Sequence, residues 1–231
     1  MEKLRRSEAH TSCLVDSWGY VRWHTRKTKD AKLNLHRGTR DMLQIALVSS
    51  LPLINAGGMV CEFGVASGRS IRMTQEMLPL DIPIHGFDTF TGLPQAWGNE
   101  PVGTYSTGGI IPNMEGKVYF HKGLFSDTIP KFLDETDDHL PLAFANIDCD
   151  LYTSTCDILE AMHTRIVPGT VIIFDEYLSH PTWRQGTNAN QLISNVIFRF
   201  VFEVHTILNI PCTYLSIHFI LYFESFPFFA M

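Results

Sequence analysis

Residues 59–72 read Met-Val-Cys-Glu-Phe-Gly-Val-Ala-Ser-Gly-Arg-Ser-Ile-Arg. The apolar run Met59 to Phe63 predicts a buried strand. Gly64 to Gly68 predicts a tight turn, and Ser70 opens a helical stretch. Strand, glycine turn and helix N-terminus, in that order, begin a nucleotide-binding α/β domain. The glycines let the backbone approach a ligand, and the helix end offers unpaired N–H groups. A dinucleotide fingerprint has three glycines spaced G-x-G-x-x-G. Here only Gly64 and Gly68 stand in the turn, with Glu62 just before it, so the match to a dinucleotide site is weak.

At 231 residues and 45% apolar content, the chain is long enough for one α/β domain with a substantial core. The formal net charge of −6 argues against general nucleic-acid binding. The charge is unevenly placed: residues 1–40 hold ten Lys/Arg and four Asp/Glu, and the rest holds eight and twenty. The expected organisation is a basic arm over 1–35, anchored by Trp18, Tyr20 and Trp23, and a catalytic domain over 36–231. The five cysteines form no C-x-x-C pair, which points to free thiols in a reducing, cytoplasmic setting.

Downstream, strands and helices alternate. Residues 39–55 predict a helix, and 83–88 a second strand ending on Asp88. The glycine- and proline-rich stretch 91–116 predicts a long loop of the kind that forms a lid, with Trp97 and Tyr105 as closing residues. A third strand is expected at 117–121 and a turn at 123–130. An acidic helix follows at 131–138, then a buried strand at 142–147. Thr153, Ser154 and Thr155 are N-cap candidates for the next helix, which runs to about Ile166. A last apolar strand, 170–174, leads into Asp175-Glu176. The pattern implies a parallel sheet with helices on both faces, its ligands beyond the carboxyl ends of the strands. Glu62, Asp88, Asp148, Asp150, Asp175 and Glu176 all fall there.

These acids carry the chemistry. Asp88 is placed to hold ribose hydroxyls. Carboxylates crowded at adjacent strand ends repel unless protonated, bridged by a cation or spread apart. Asp148, Asp150, Asp175 and Glu176 suit Mg²⁺, which takes oxygen ligands and keeps open positions. A remaining carboxylate can then accept the proton of an alcohol nucleophile. His180 is a further candidate base or pocket residue. Cys149, between two acids with no base partner, is a poor thiol nucleophile.

The segment from Thr187 to Met231 contains only three formal charges, Arg199, Glu203 and Glu224. Residues 204–223 contain none, so an apolar membrane anchor is one reading. The preferred one is two closing strands at about 198–207 and 213–222, joined by a turn at 209–212.

Five motifs occur together and in order: E-F-G-V-A-S-G-R-S (62–70), G-F-D-T-F-T-G-L-P (86–94), G-L-F-S-D-T-I-P (123–130), I-D-C-D-L-Y-T-S-T (147–155) and P-G-T-V-I-I-F-D-E-Y (168–177). This set resembles the macrocin-O-methyltransferase-like (TylF-type) family of class I S-adenosylmethionine-dependent O-methyltransferases. The resemblance implies a three-layer Rossmann-like fold whose seven-stranded sheet runs 3-2-1-4-5-7-6, with strand 7 antiparallel. It implies methyl transfer to a hydroxyl of a small-molecule acceptor, as on the sugars of antibiotics, with Mg²⁺, in a homo-oligomer. It assigns Glu62, Gly64 and Ser70 to the methionine end of the cofactor, Asp88 to the ribose, and the 122–126 segment with Gly123 and Ser126 to the adenine, with Val65, Gly68 and Asp148 also cofactor-binding. Asp148, Asp175 and Glu176 become metal ligands and Asp150 the general base, with Asp148 and Asp150 open to exchange. Leu124 departs from an aromatic usual in the family, and Glu176 from an Asp. Two other function classes stand beside this one: a nicotinamide-linked oxidoreductase, and a non-catalytic cofactor-binding homologue.

Overall fold

The computed structural model describes residues 34–36, 39–178, 202–209 and 217–223. The arm residues 1–33, with Trp18, Tyr20 and Trp23, lie outside the described residues, as does His180. Of Glu176 only the backbone is described.

The chain runs β1 (Asn34–His36), α1 (Thr39–Asn55), β2 (Met59–Phe63), α2 (Arg69–Met77), β3 (Ile84–Asp88), β4 (Val118–Lys122) and α3 (Phe125–Asp134). It continues through β5 (Leu142–Ile147), α4 (Tyr152–Met162), a 3₁₀ turn (His163–Arg165), β6 (Ile166–Leu178), β7 (Phe202–Asn209) and β8 (Ile217–Phe223). The strands form one sheet in the order β1-β7-β8-β6-β5-β2-β3-β4. Five strands, β4-β3-β2-β5-β6, are mutually parallel, and β8 lies antiparallel to β6. The sheet thus has eight strands where the sequence led to an expectation of seven. The additional one is the three-residue β1, parallel to β7 at the edge.

The central strands β2 and β5 are apolar but for Glu62 and Asn146, as strands covered on both faces are. Every residue of β2 and of β5 is buried. Alternate side chains feed two cores. Cys61 and Phe63 pack with Phe87, Ile129, Phe132 and Ile158 on the α3/α4 face. Val60 packs with Leu43, Ala46, Ile71 and Phe144 on the α1/α2 face. Phe63 stacks on Phe87 at 4.9 Å and meets Phe125 edge-on at 5.9 Å. Burial of such a ring contributes about 1.5–3 kcal/mol relative to exposure.

Several boundaries differ from those read in the sequence. α3 begins at Phe125, not Lys131. Its apolar residues Phe125, Ile129, Phe132 and Leu133 fall at i, i+4, i+7 and i+8, and this stripe outweighs the breaker Pro130. Leu151, not Thr153, Ser154 or Thr155, is the N-cap of α4, with no side-chain cap bond. Thr155 instead returns its hydroxyl to the Leu151 carbonyl from within the first turn. β6 begins at Ile166 and runs through Pro168-Gly169, where its register with β5 shifts. An irregularity in pairing lets a proline lie inside a strand. The last two strands begin four residues later than expected, at Phe202 and Ile217. No helix among the described residues is long and apolar enough to cross a membrane.

Candidate active site

A cavity of about 640 Å³ opens at the carboxyl ends of β2, β3, β5 and β6. Gly64, Val65, Ser70, Asp88, Gly123, Ser126, Asp148, Asp150 and Asp175 all line it. Glu62 and Gly68 do not; Glu62 reaches the wall through Ser70, and Gly68 directly precedes the lining residue Arg69.

The glycine turn is fixed by close approach. Gly64 has φ +91°, and a Cβ there would lie 1.8 Å from the Asp148 carbonyl oxygen. Its N–H donates to Phe87 O, while the Asp148 N–H donates to Phe63 O. The turn is thus wedged between the ends of β3 and β5. Gly68, at φ +81°, is the N-cap of α2 and has Pro112 of the long loop packed against it.

Asp88 clasps this turn from the next strand. Its Oδ2 accepts the N–H of Val65 at 2.8 Å and of Ala66 at 2.7 Å, and its Oδ1 accepts that of Phe90 at 2.6 Å. A carboxylate offers about four acceptor sites, so roughly one remains for a ligand hydroxyl.

Glu62 is 2% exposed. Ser70 Oγ donates to its Oε1 at 2.8 Å and Asn146 Nδ2 to its Oε2 at 3.3 Å. Burial pushes its carboxyl up to about 8 against the pull of these hydrogen bonds. It therefore ties β2, α2 and β5 together in largely protonated form. Asn146 was missed in the sequence; a polar residue inside the apolar run Leu142–Ile147 was the available signal.

On the far wall stand three aspartates. Burial, then the neighbouring charges of Asp175, Asp150 and Glu62, hold the Asp148 carboxyl well above the usual range. The Asp175 side chain stands beside that of Asp148 and raises it further. Asp150 is pushed up to about 7, by burial first and then by Asp175, Glu100 and Asp88. Cys149, between them, is half-buried, and desolvation pushes its thiol up to about 12, so it stays a thiol.

Among the described residues, four non-glycine residues have left-handed backbone: Ala66 (φ 46°), Phe90 (φ 59°), Tyr105 (φ 66°) and Asp150 (φ 60°). Ala66, Tyr105 and Asp150 line the cavity, and Phe90 donates to Asp88. Such strain costs of order 1–3 kcal/mol per residue and collects at functional sites.

The expected metal set is only partly assembled. Among the described residues, no group of three or more His, Cys, Asp or Glu is arranged to hold a metal ion. Asp148 and Asp175 meet, and the Glu176 side chain lies outside the described residues. The oxygen donors present are of the kind Mg²⁺ takes, but they number two in contact.

The long loop contributes Thr89, Gly92, Leu93, Pro94, Gln95 and Tyr105 to the cavity, and Arg69 also lines it. Tyr105 was expected there and Arg69 was not; Trp97 instead pairs with Glu100 in an isolated bridge. Leu124 lines the wall beside Gly123, 45% exposed. From the other side come Thr153, Ser154 and Asp157 of α4.

Residues 113–197 match the family model described as macrocin-O-methyltransferase (TylF). A search of curated protein sequences gives no match. Among solved structures, the chain is similar to the calicheamicin methyltransferase CalS11, with a TM-score of 0.57 and 20% identity over 80% of each chain. It is similar to the O-methyltransferase NovP, with a TM-score of 0.51 and 19% identity over 80% of each chain. An O-methyltransferase from Bacillus cereus, solved in complex with SAH, gives a TM-score of 0.54 and 14% identity over 90% of each chain. At these identities the structures speak for the fold. The family match agrees with the resemblance carried by the five sequence motifs, and it supports an O-methyltransferase enzyme.

Proposed function

We propose that the chain is a class I S-adenosylmethionine-dependent O-methyltransferase acting on a hydroxyl of a small-molecule acceptor. The observation that carries this reading is a single cavity joining the glycine turn and Asp88 to the Asp148, Asp150 and Asp175 group. One side suits an amino-acid nucleoside, and the other suits removal of a hydroxyl proton. The strand order expected for this class, 3-2-1-4-5-7-6, is the frame we adopt for the sheet.

On this reading Gly64, Val65 and Ser70 face the methionine end of the donor. The remaining acceptor site of Asp88 takes a ribose hydroxyl. Gly123 and Ser126 border the adenine, and Glu62 and Gly68 act from behind, shaping the turn. The acceptor hydroxyl gives its proton to the Asp150 carboxylate. The acceptor oxygen attacks the methyl carbon in line. The carbon–sulfur bond breaks with its electron pair remaining on sulfur, leaving S-adenosylhomocysteine. A base with pKa about 7 is half ionised near neutral pH, close to the optimum for proton transfer. Holding both reactants in line accounts for much of the acceleration in such a displacement.

Mg²⁺ belongs to the same proposal, with Asp148 and Asp175 as two ligands and Glu176 as the third. When bound it would make the acceptor hydroxyl more acidic. A sugar hydroxyl is the acceptor class that the resemblance of the five motifs implies. His180 remains a candidate for the acceptor side.

Isothermal titration of the full chain with S-adenosylhomocysteine, in Mg²⁺ and in EDTA, tests the reading. We expect stoichiometric binding that Asp88→Ala weakens at least tenfold. No binding in either buffer overturns the proposal; binding with no catalytic effect of Mg²⁺ on methyl transfer to a sugar panel removes the metal from it.

A further inference from the structure

The long loop is two structures of different attachment. Its second half is bound to the donor wall. Gly109 N–H and Thr107 N–H donate to Phe90 O, and Lys122 Nζ donates to Gly109 O. Gln75 Nε2 donates to the Glu115 carbonyl, and Pro112 packs on Gly68. Its first half, residues 93–104, is a small hairpin closed on itself. Leu93 N–H donates to Thr104 O and Gly103 N–H to Leu93 O, while Trp97 and Glu100 exchange both backbone bonds. Gly92 and Gly103, both at φ +84°, lie at its base, where a Cβ on Gly92 would meet Gly103 O at 2.4 Å.

This hairpin reaches across to α4. Gln95 Nε2 donates to Thr153 Oγ1 at 2.6 Å. The two residues come from different walls of the same cavity, 58 positions apart in sequence, and both are exposed. Their bond therefore spans the rim rather than the floor. Thr153 sits in the first turn of α4, three residues after Asp150. Closing the latch thus brings the hairpin over the wall that carries the reacting carboxylate.

We propose that Gln95 and Thr153 form a latch that holds the 93–104 hairpin over the loaded cavity and sets how fast ligands leave. Both are positioning residues, and the inference rests on the donor-site reading above. The latch must open for exchange and close for the hairpin to exclude water from the reacting oxygen.

The test is the dissociation rate of S-adenosylhomocysteine from the full chain, read by stopped-flow displacement. Gln95→Ala and Thr153→Val should each speed release about 3- to 10-fold, the range expected for loss of one hydrogen bond. The double variant should be no faster than either single one, because both remove the same bond. Thr153→Ser, which keeps the hydroxyl, should release at the wild-type rate. Melting temperatures should stay within about 2 °C, since both side chains are at the surface. Wild-type release in both single variants, or effects that multiply in the double, would overturn the latch. If the wild type binds no S-adenosylhomocysteine, the donor reading falls and the latch with it.

Discussion

Asp150 shows how one residue's surroundings set its chemistry. Burial first, and then the charges of Asp175, Glu100 and Asp88, push its carboxyl up to about 7. Asp150→Asn should lower kcat by about 10²- to 10⁴-fold while changing S-adenosylhomocysteine affinity less than threefold. In the wild type, kcat should climb with pH through about 7 and then level, because the base works only when ionised. A flat profile between pH 6 and 8 would remove Asp150 from that role. Gly64 is the complementary case, where the backbone decides. Gly64→Ala puts a Cβ into the Asp148 carbonyl at a φ that L-residues avoid. We expect it to destabilise the chain by about 3 kcal/mol or more, measured by urea unfolding. Both positions were legible in the sequence, since a glycine after an apolar strand and an acid after another are local signals. The coupling of Asp148 to Asp175 was not, because it depends on two strand ends meeting.

Elements explain where the sequence succeeded and where it fell short. β2 and β5 were readable because continuous apolar runs have few other homes than a sheet covered on both faces. The start of α3 was not, because a proline and a glycine stood near an apolar stripe that only packing against Phe63 and Phe87 makes decisive. The brace Glu62–Ser70–Asn146 joins three elements; the glutamate and the serine were singled out in the sequence, the asparagine was not. Its energetics follow from its protonation. The unfolded carboxyl titrates near 4.5 and the folded one near 8. Between those values the folded chain binds more protons, so this group's contribution to stability falls as pH rises, by at most about 1.4 kcal/mol per unit. Urea unfolding of wild type against Glu62→Gln should show the wild-type advantage shrinking from pH 5 to 8. An advantage that stays constant would mean the carboxyl ionises normally.

At the scale of the whole molecule, the cavity is built from both halves of the chain. Gly64 and Asp88 come from one half, and Asp148, Asp150 and Asp175 from the other. A ligand that bridges them should stabilise the entire fold. At a hundredfold excess over Kd, S-adenosylhomocysteine should add about 2.7 kcal/mol to unfolding, seen as a rise in Tm. Asp88→Ala, with binding weakened at least tenfold, should remove about half of that rise or more at the same ligand concentration. A ligand-independent Tm in the wild type would contradict a donor site in this cavity. The layered α/β class was legible from alternation alone. The eighth strand was not, since a three-residue segment has no pattern to read.

The pairing of β2 with β5 sets Glu62 opposite Asn146, 84 residues along the chain. Contacts of such long range are slow to form, because the intervening segment must be drawn in before they reward it. During synthesis, the glycine turn leaves the ribosome long before the strand that wedges it in place. Until that strand arrives, β2 has an unpaired apolar edge, a ready template for wrong association. The candidate site is therefore among the last features a growing chain can complete, since its Asp175 arrives only with β6.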